Sequence, residues 1–278
     1  MAYKTILVHA DVPHAAQRLR IAAELAARHE AHLIGVAVTG LPRHVHGGDI
    51  ASLEDMVLMN QLDEMRADAQ AAIVAFEEAA QHAGVVSREA LLIDDDAAGG
   101  IGVLAPYADL VVLGQPDPDA QRGDLQRGLP EHLLLGTGRA VMFIPYAAEA
   151  ATVGRQPLIA WDGSAGASRA VTGALPMLRQ AGAARIVRFN APRHGDSDSQ
   201  NALAQLARYL SRHGVRCEIL VESTELDMGS ALLALASDVF ADLLVMGAYG
   251  HTRLHDMFMG SASHTVLRDM TLPVVMAH

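Results

Sequence analysis

Short apolar runs alternate with stretches of helical period along almost the whole chain. Residues 6–9 (ILVH) read as a strand. From Pro13 to about Glu30 the apolar residues Ala16, Leu19, Ala23 and Ala26 or Ala27 recur every three or four positions, the spacing of an amphipathic helix. Pro13 suits the first turn of that helix. Residues 32–38 (HLIGVAV) predict a second strand, a loop rich in Gly, His and Pro follows, and 52–82 predicts a long helix with a break near Asn60. A third strand over 85–93 leads to a helix over 97–107, capped from within Asp94 to Asp96. A fourth strand, 110–113, ends on Gly114, a helix covers 130–135, and a fifth strand covers 140–144.

Residues 147–156 carry no apolar period and read as a linker, after which the order repeats. Strands are predicted at 158–161, 185–189, 215–221, 243–246 and 272–276, with helices at 167–180, 197–213, 227–240 and after Gly260. Strands alternating with helices in this way predict parallel sheets with right-handed crossovers. The halves overlay: Asp11 corresponds to Asp162, Gly114 to Gly247 and Gly128 to Gly260, with a longer loop and second helix in the first half. A repeat of this size predicts duplicated domains, 1–146 and 157–278, and not a solenoid. Each is expected to be an open parallel five-stranded α/β sheet with helices on both faces. The two are expected to pack as a pseudo-dimer, with their fifth strands pairing within one chain.

Composition narrows the function classes. Of 278 residues, 51% are hydrophobic and only 4% aromatic, so Ala, Val, Leu and Met must fill the cores. A formal charge of −11 argues against general nucleic-acid or anionic-membrane binding, which needs a basic surface. The single Cys217 has no internal disulfide partner, and its alternation with Val215, Ile219 and Val221 places it in a core. The first residues run straight into a strand, without the apolar core of a signal peptide, and no apolar run approaches the length of a membrane span. A cytoplasmic location is expected.

The chemistry concentrates after the ninth strand. An apolar run ends at Gly247, Gly250 follows, and Gly260 with Ser261 opens a helix, giving G-x2-G-x9-G-S. Glycine lets backbone approach closely, and the free N–H groups at a helix start attract an anion. The pattern is a phosphate cradle in outline, yet it is neither the dinucleotide-binding nor the P-loop fingerprint.

Together, LIAWDGS at 158–164 and G-x2-G-x9-G-S at 247–261 resemble the universal stress protein family in its tandem, two-domain form. The resemblance covers essentially the whole chain. It implies ATP or a related adenine nucleotide bound at the C-terminal ends of the first and fourth strands of the second half, with a weakly held Mg²⁺. It implies that Asp162 accepts hydrogen bonds from the adenosine, with Trp161 beside the base and Phe189 as an apolar wall. Met246, Gly247 and Gly250 would line the ribose and phosphate approach, and Gly260, Ser261 and Ser263 would donate to the phosphates. A regulatory role follows, in which occupancy alters the 248–259 loop for an unidentified protein partner, with slow hydrolysis at most. Further homodimerisation fits the family.

The first half departs from that pattern. Gln-Pro-Asp-Pro follows Gly114, Leu129 follows Gly128, and Val12 and Pro13 replace the Gly and Ser after Asp11. One competent site is therefore expected. His44, His46 and Asp49 have the chemistry of metal ligands but no standard zinc spacing, and no metal site is expected there. His251, Arg253, His255 and His264 lie in or after the glycine loop, where Arg253 is the best phosphate partner by chemistry. No catalytic constellation declares itself. Two other readings remain open: an interaction or scaffold module that retains the fold without the nucleotide, and an ATP-dependent enzyme.

Overall fold

The computed structural model describes residues 2–11, 15–40, 53–116, 128–146, 152–190, 197–249 and 262–278, with backbone alone for 53–59 and 197–200. The chain divides into two compact units, 2–137 and 138–278.

In the first unit, four parallel strands take the order β3-β2-β1-β4. They are β1 (Thr5–His9), β2 (His32–Val38), β3 (Arg88–Ile93) and β4 (Leu110–Gly114). β1 and β4 are buried along almost their whole length, as their unbroken apolar sequences require of central parallel strands. Helix α1 (Ala15–His29) packs on β1 and β4, and α2 (Leu53–His82) packs on α1, β2 and β3. Phe76 of α2 lies directly against Gly35 of β2. The helices α3 (Ala97–Gly102) and α4 (Leu129–Gly136) pack on each other.

In the second unit, β5 (Val141–Ile144), β6 (Pro157–Ala160), β7 (Ala184–Phe189), β8 (Cys217–Glu222), β9 (Leu243–Gly247) and β10 (Val274–Ala277) take the order β5-β10-β9-β6-β7-β8. All pairs are parallel except β10 with β5. Helix α5 (Ala165–Leu178) packs on β9 and β10, α6 (Ser197–Arg212) on β7 and β8, and α7 (Met228–Asp238) on α8 (Ala262–Asp269). From β6 the chain builds outward to β7 and β8, then returns to the other side for β9. The sheet thus has a switch point between β6 and β9, where open α/β sheets bind ligands.

The duplication is repeated in a detail the motifs did not reveal. Asp109, before β4, accepts from the N–H groups of Lys4 and Thr5 at 2.6 and 3.0 Å. Asp242, before β9, accepts from the N–H groups of Arg155 and Gln156 at 2.9 and 2.8 Å. In both units a carboxylate before the fourth strand fixes the start of the first.

Several expectations change. The fifth strands pair as expected, and they do so antiparallel. Helix α2 is continuous through Asn60. The helix expected over 97–107 stops at Gly102, with Asp96 as its N-cap, and a 3-10 turn covers Ala105–Tyr107. Glycines at 99, 100 and 102 and Pro106 explain the break. Cys217 is not in a core. It is half-buried, and Ile219 and Val221 are 44% and 57% exposed, because β8 is an edge strand that packing covers incompletely.

Candidate nucleotide site

Three strands of the second unit end on one cleft. β6 runs out through Trp161 to Asp162. The ladder continues past the strand, with Trp161 N–H donating to Val187 O at 2.9 Å, so the register sets Arg188 beside Trp161 and Phe189 beside Asp162. The flanking strands then leave the sheet through left-handed residues, Asn190 after β7 (φ 51°) and Tyr249 after β9 (φ 54°). The resulting cleft holds about 440 Å³. It is walled by Trp161, Asp162, Arg188 and Phe189 on one side, Met246, Gly247 and Tyr249 on another, and Met228, Leu232, Ala262 and Ser263 from α7 and α8.

The turn after β6 is built locally. Gly163 has φ 80°, a conformation that L side chains rarely adopt. Asp162 Oδ1 accepts the Ser164 N–H at 2.8 Å, and Ser164 is the N-cap of α5, its hydroxyl accepting from Ala167 N–H at 3.1 Å. The cap role therefore falls to Ser164, and the exposed Asp162 carboxylate makes no hydrogen bond through Oδ2 among the described residues.

Gly247 has a different reason for being glycine than ligand approach alone. A Cβ there would lie 2.6 Å from Ala167 N and 3.1 Å from Gly166 C, so the first turn of α5 passes directly over it. Ser263 is buried, and its hydroxyl accepts from Tyr249 N–H at 3.1 Å. That bond ties the end of β9 to the first turn of α8. At α7 the N-cap Asp227 already accepts from the Ser230 N–H at 3.0 Å. This bond leads the causes that hold the Asp227 carboxyl below the usual range. The indole Nε1 of Trp161 is buried without a hydrogen-bond partner among the described residues.

Of the nine residues chosen from sequence, Trp161, Asp162, Phe189, Met246, Gly247 and Ser263 line this one cleft. Gly250, Gly260 and Ser261 lie outside the described residues, as do His44, His46, Asp49, His251, Arg253 and His255. Arg188, Tyr249, Met228 and Leu232 were not anticipated. Tyr249 stands inside the glycine motif, and Met228 and Leu232 have the four-residue spacing of one helix face. Arg188 reads in sequence as an ordinary polar strand position.

The corresponding place in the first unit is arranged differently. Asp11, after β1, is ion-paired to the buried Arg18 of α1, and His9 Nδ1 lies 3.5 Å from its other oxygen. The Arg18 guanidinium packs onto Gly114, where a Cβ would collide with it. Burial lowers the Arg18 pKa to about 10, leaving it charged at neutral pH. Burial first, and the Arg18 charge second, lower that of His9 to about 3.

Among the described residues no three His, Cys, Asp or Glu side chains are grouped to hold a metal, and no helix is long and apolar enough to cross a membrane.

The universal stress protein family model matches residues 155–278. No curated protein matches the sequence. Among solved structures, the chain is similar to a universal stress protein from Archaeoglobus fulgidus DSM 4304, with TM-score 0.74 and 19% identity over 98% of this chain and 94% of that one. It is also similar to a putative universal stress protein from Pseudomonas aeruginosa UCBPP-PA14, with TM-score 0.59 and 16% identity over 99% of this chain and 92% of that one. At these identities the likeness shows the fold, and it extends over both halves.

Proposed function

Starting from residues 155–278 as a universal stress protein domain, we propose that this chain binds ATP or a related adenine nucleotide in the cleft of its second unit. The carrying observation is convergence: six residues spread from Trp161 to Ser263, chosen by residue chemistry and resemblance, meet around one cleft of nucleotide-compatible volume. An apolar slot of Phe189, Met246, Met228 and Leu232 suits a base, and Asp162 suits a hydroxyl or amino donor. Of the two helix starts at the cleft, α7 is capped by its own carboxylate, which directs an anion toward α8. Asp162 is the one carboxylate among the described lining residues, so Mg²⁺ would enter on the phosphates and take few protein ligands.

The role is regulatory: nucleotide occupancy, more than turnover, is what a protein partner reads. Isothermal titration of the full chain with ATP and Mg²⁺ tests this. Saturable binding that Asp162→Ala weakens at least about tenfold supports the proposal. Wild-type protein that takes up no ATP overturns it and favours the scaffold reading. Rapid, metal-dependent turnover abolished by Asp162→Ala would instead favour an enzyme.

A further inference from the structure

We propose that the chain self-associates through the outer edge of β8, two copies pairing antiparallel about a twofold axis at Ile219. The fifth strands are not free for this, because β5 and β10 already pair within one chain. The proposal is independent of the nucleotide reading.

β8 is the edge opposite β5 in the second unit, and among the described residues no strand lies beyond it. Its pairing with β7 tells which backbone groups are left over. Ala184 N–H donates to Arg216 O at 2.8 Å and Asn190 N–H to Glu222 O at 2.9 Å, so the even-numbered residues from Arg216 to Glu222 turn toward β7. Cys217, Ile219 and Val221 therefore aim their N–H and C=O groups outward. The same three residues form an apolar row on one face, with Ile219 and Val221 44% and 57% exposed. The ladder with β7 runs without a bulge over all six residues, and β8 holds neither Pro nor Lys. Those are the devices that keep sheet edges apart, and an edge without them is a template for another strand.

The occupant follows from the sequence of the edge itself. Outward groups must meet outward groups, so a twofold axis passes through a residue and not between two. Axes through Ile219 and through Leu220 each keep five of the six strand residues paired. An axis at Leu220 sets Glu218 opposite the partner's Glu222, a like-charge pair on one face. An axis at Ile219 removes that conflict. It sets Arg216 opposite the partner's Glu222 at both ends, Cys217 opposite the partner's Val221, and Ile219 against itself. Glu218 then stands opposite the partner's Leu220. The edge is thus complementary, in charge and in hydrogen bonding, to a second copy of itself. Arg216 and Glu222 are exposed and stand at opposite ends of the strand, roughly 20 Å apart, so they cannot pair within one chain.

Sedimentation equilibrium of the full chain over a concentration series is the test. Wild type should show a reversible monomer–dimer equilibrium. Ile219→Pro deletes an N–H that points away from β7, so the ladder within the chain survives while the dimer loses its central bonds. It should weaken dimerisation at least about tenfold. Ile219→Lys, which sets like charges on the axis, replaces it should the proline variant melt early. Arg216→Glu and Glu222→Lys should each weaken dimerisation about tenfold, and the double swap should restore it to within about threefold of wild type. A wild type that stays monomeric throughout overturns the proposal, as does a dimer that the Ile219 variant leaves unchanged. Single charge variants that dimerise like wild type, or a double swap that restores nothing, overturn the Ile219 axis and the proposal with it.

Discussion

Asp11 and Asp162 occupy equivalent positions and lead different lives. Asp162 is exposed and spends one oxygen on the Ser164 N–H, whereas Asp11 is held by the buried Arg18. Asp162→Asn keeps an acceptor for Ser164 but removes the charge. It should weaken ATP binding about tenfold and shift the melting temperature by less than about 3 °C, read by calorimetry and thermal melts. Arg18→Met should do the opposite: leave ATP affinity intact and cost about 3 kcal/mol of stability, because Asp11 loses its partner inside the unit. Urea denaturation measures that loss. His9 adds a pH dependence of defined sign. Its folded pKa of about 3 lies below the unfolded value near 6.5, so its contribution is complete above pH 6.5 and is lost as pH falls toward 3. The unfolded chain binds a proton there that the folded chain does not, giving a slope of up to about 1.4 kcal/mol per pH unit. Relative to wild type, His9→Gln should flatten the fall in urea midpoint between pH 7 and 5, with Asp11 and Arg18 still facing the substituted side chain.

At the scale of elements, α5 and β9 are joined by the absence of a side chain. Gly247→Val should destabilise the second unit by at least about 2 kcal/mol, since the obstacle is the backbone of Gly166 and Ala167 and not a side chain that can turn aside. Ser164→Ala, which removes only the α5 cap, should cost about 1 kcal/mol. Thermal denaturation of the two variants checks the order. Gly247 is thus a poor probe of ligand binding, although its place in the motif made it the natural first choice. Strands β1, β2, β4 and β9 were legible because uninterrupted apolar runs between glycines and turns leave few alternatives. The inside-or-outside status of β8 was not, because an alternating strand reads the same at the edge as in the middle, and strand order is set by crossovers far away. Arg188 was missed for a related reason: a charged residue between Val187 and Phe189 looks like a solvated strand position until the neighbouring strand end is placed beside it. The Arg18–Asp11 pair joins a residue of α1 to one between β1 and α1, so the period of no single element announces it.

For the whole molecule, duplication has preserved scaffolding and let the sites diverge. The Asp109 and Asp242 anchors are kept in both units, while the Asp-Gly-Ser turn and the second glycine are present in only one. In our account the chain has a single nucleotide site, in the unit formed by residues 138–278. The most direct measurement is the nucleotide stoichiometry of the full chain by native mass spectrometry with ATP and Mg²⁺, for wild type and Asp162→Asn. The account predicts one nucleotide per wild-type chain and markedly reduced occupancy in the variant. Two per wild-type chain, or one that persists unchanged in Asp162→Asn, would contradict it.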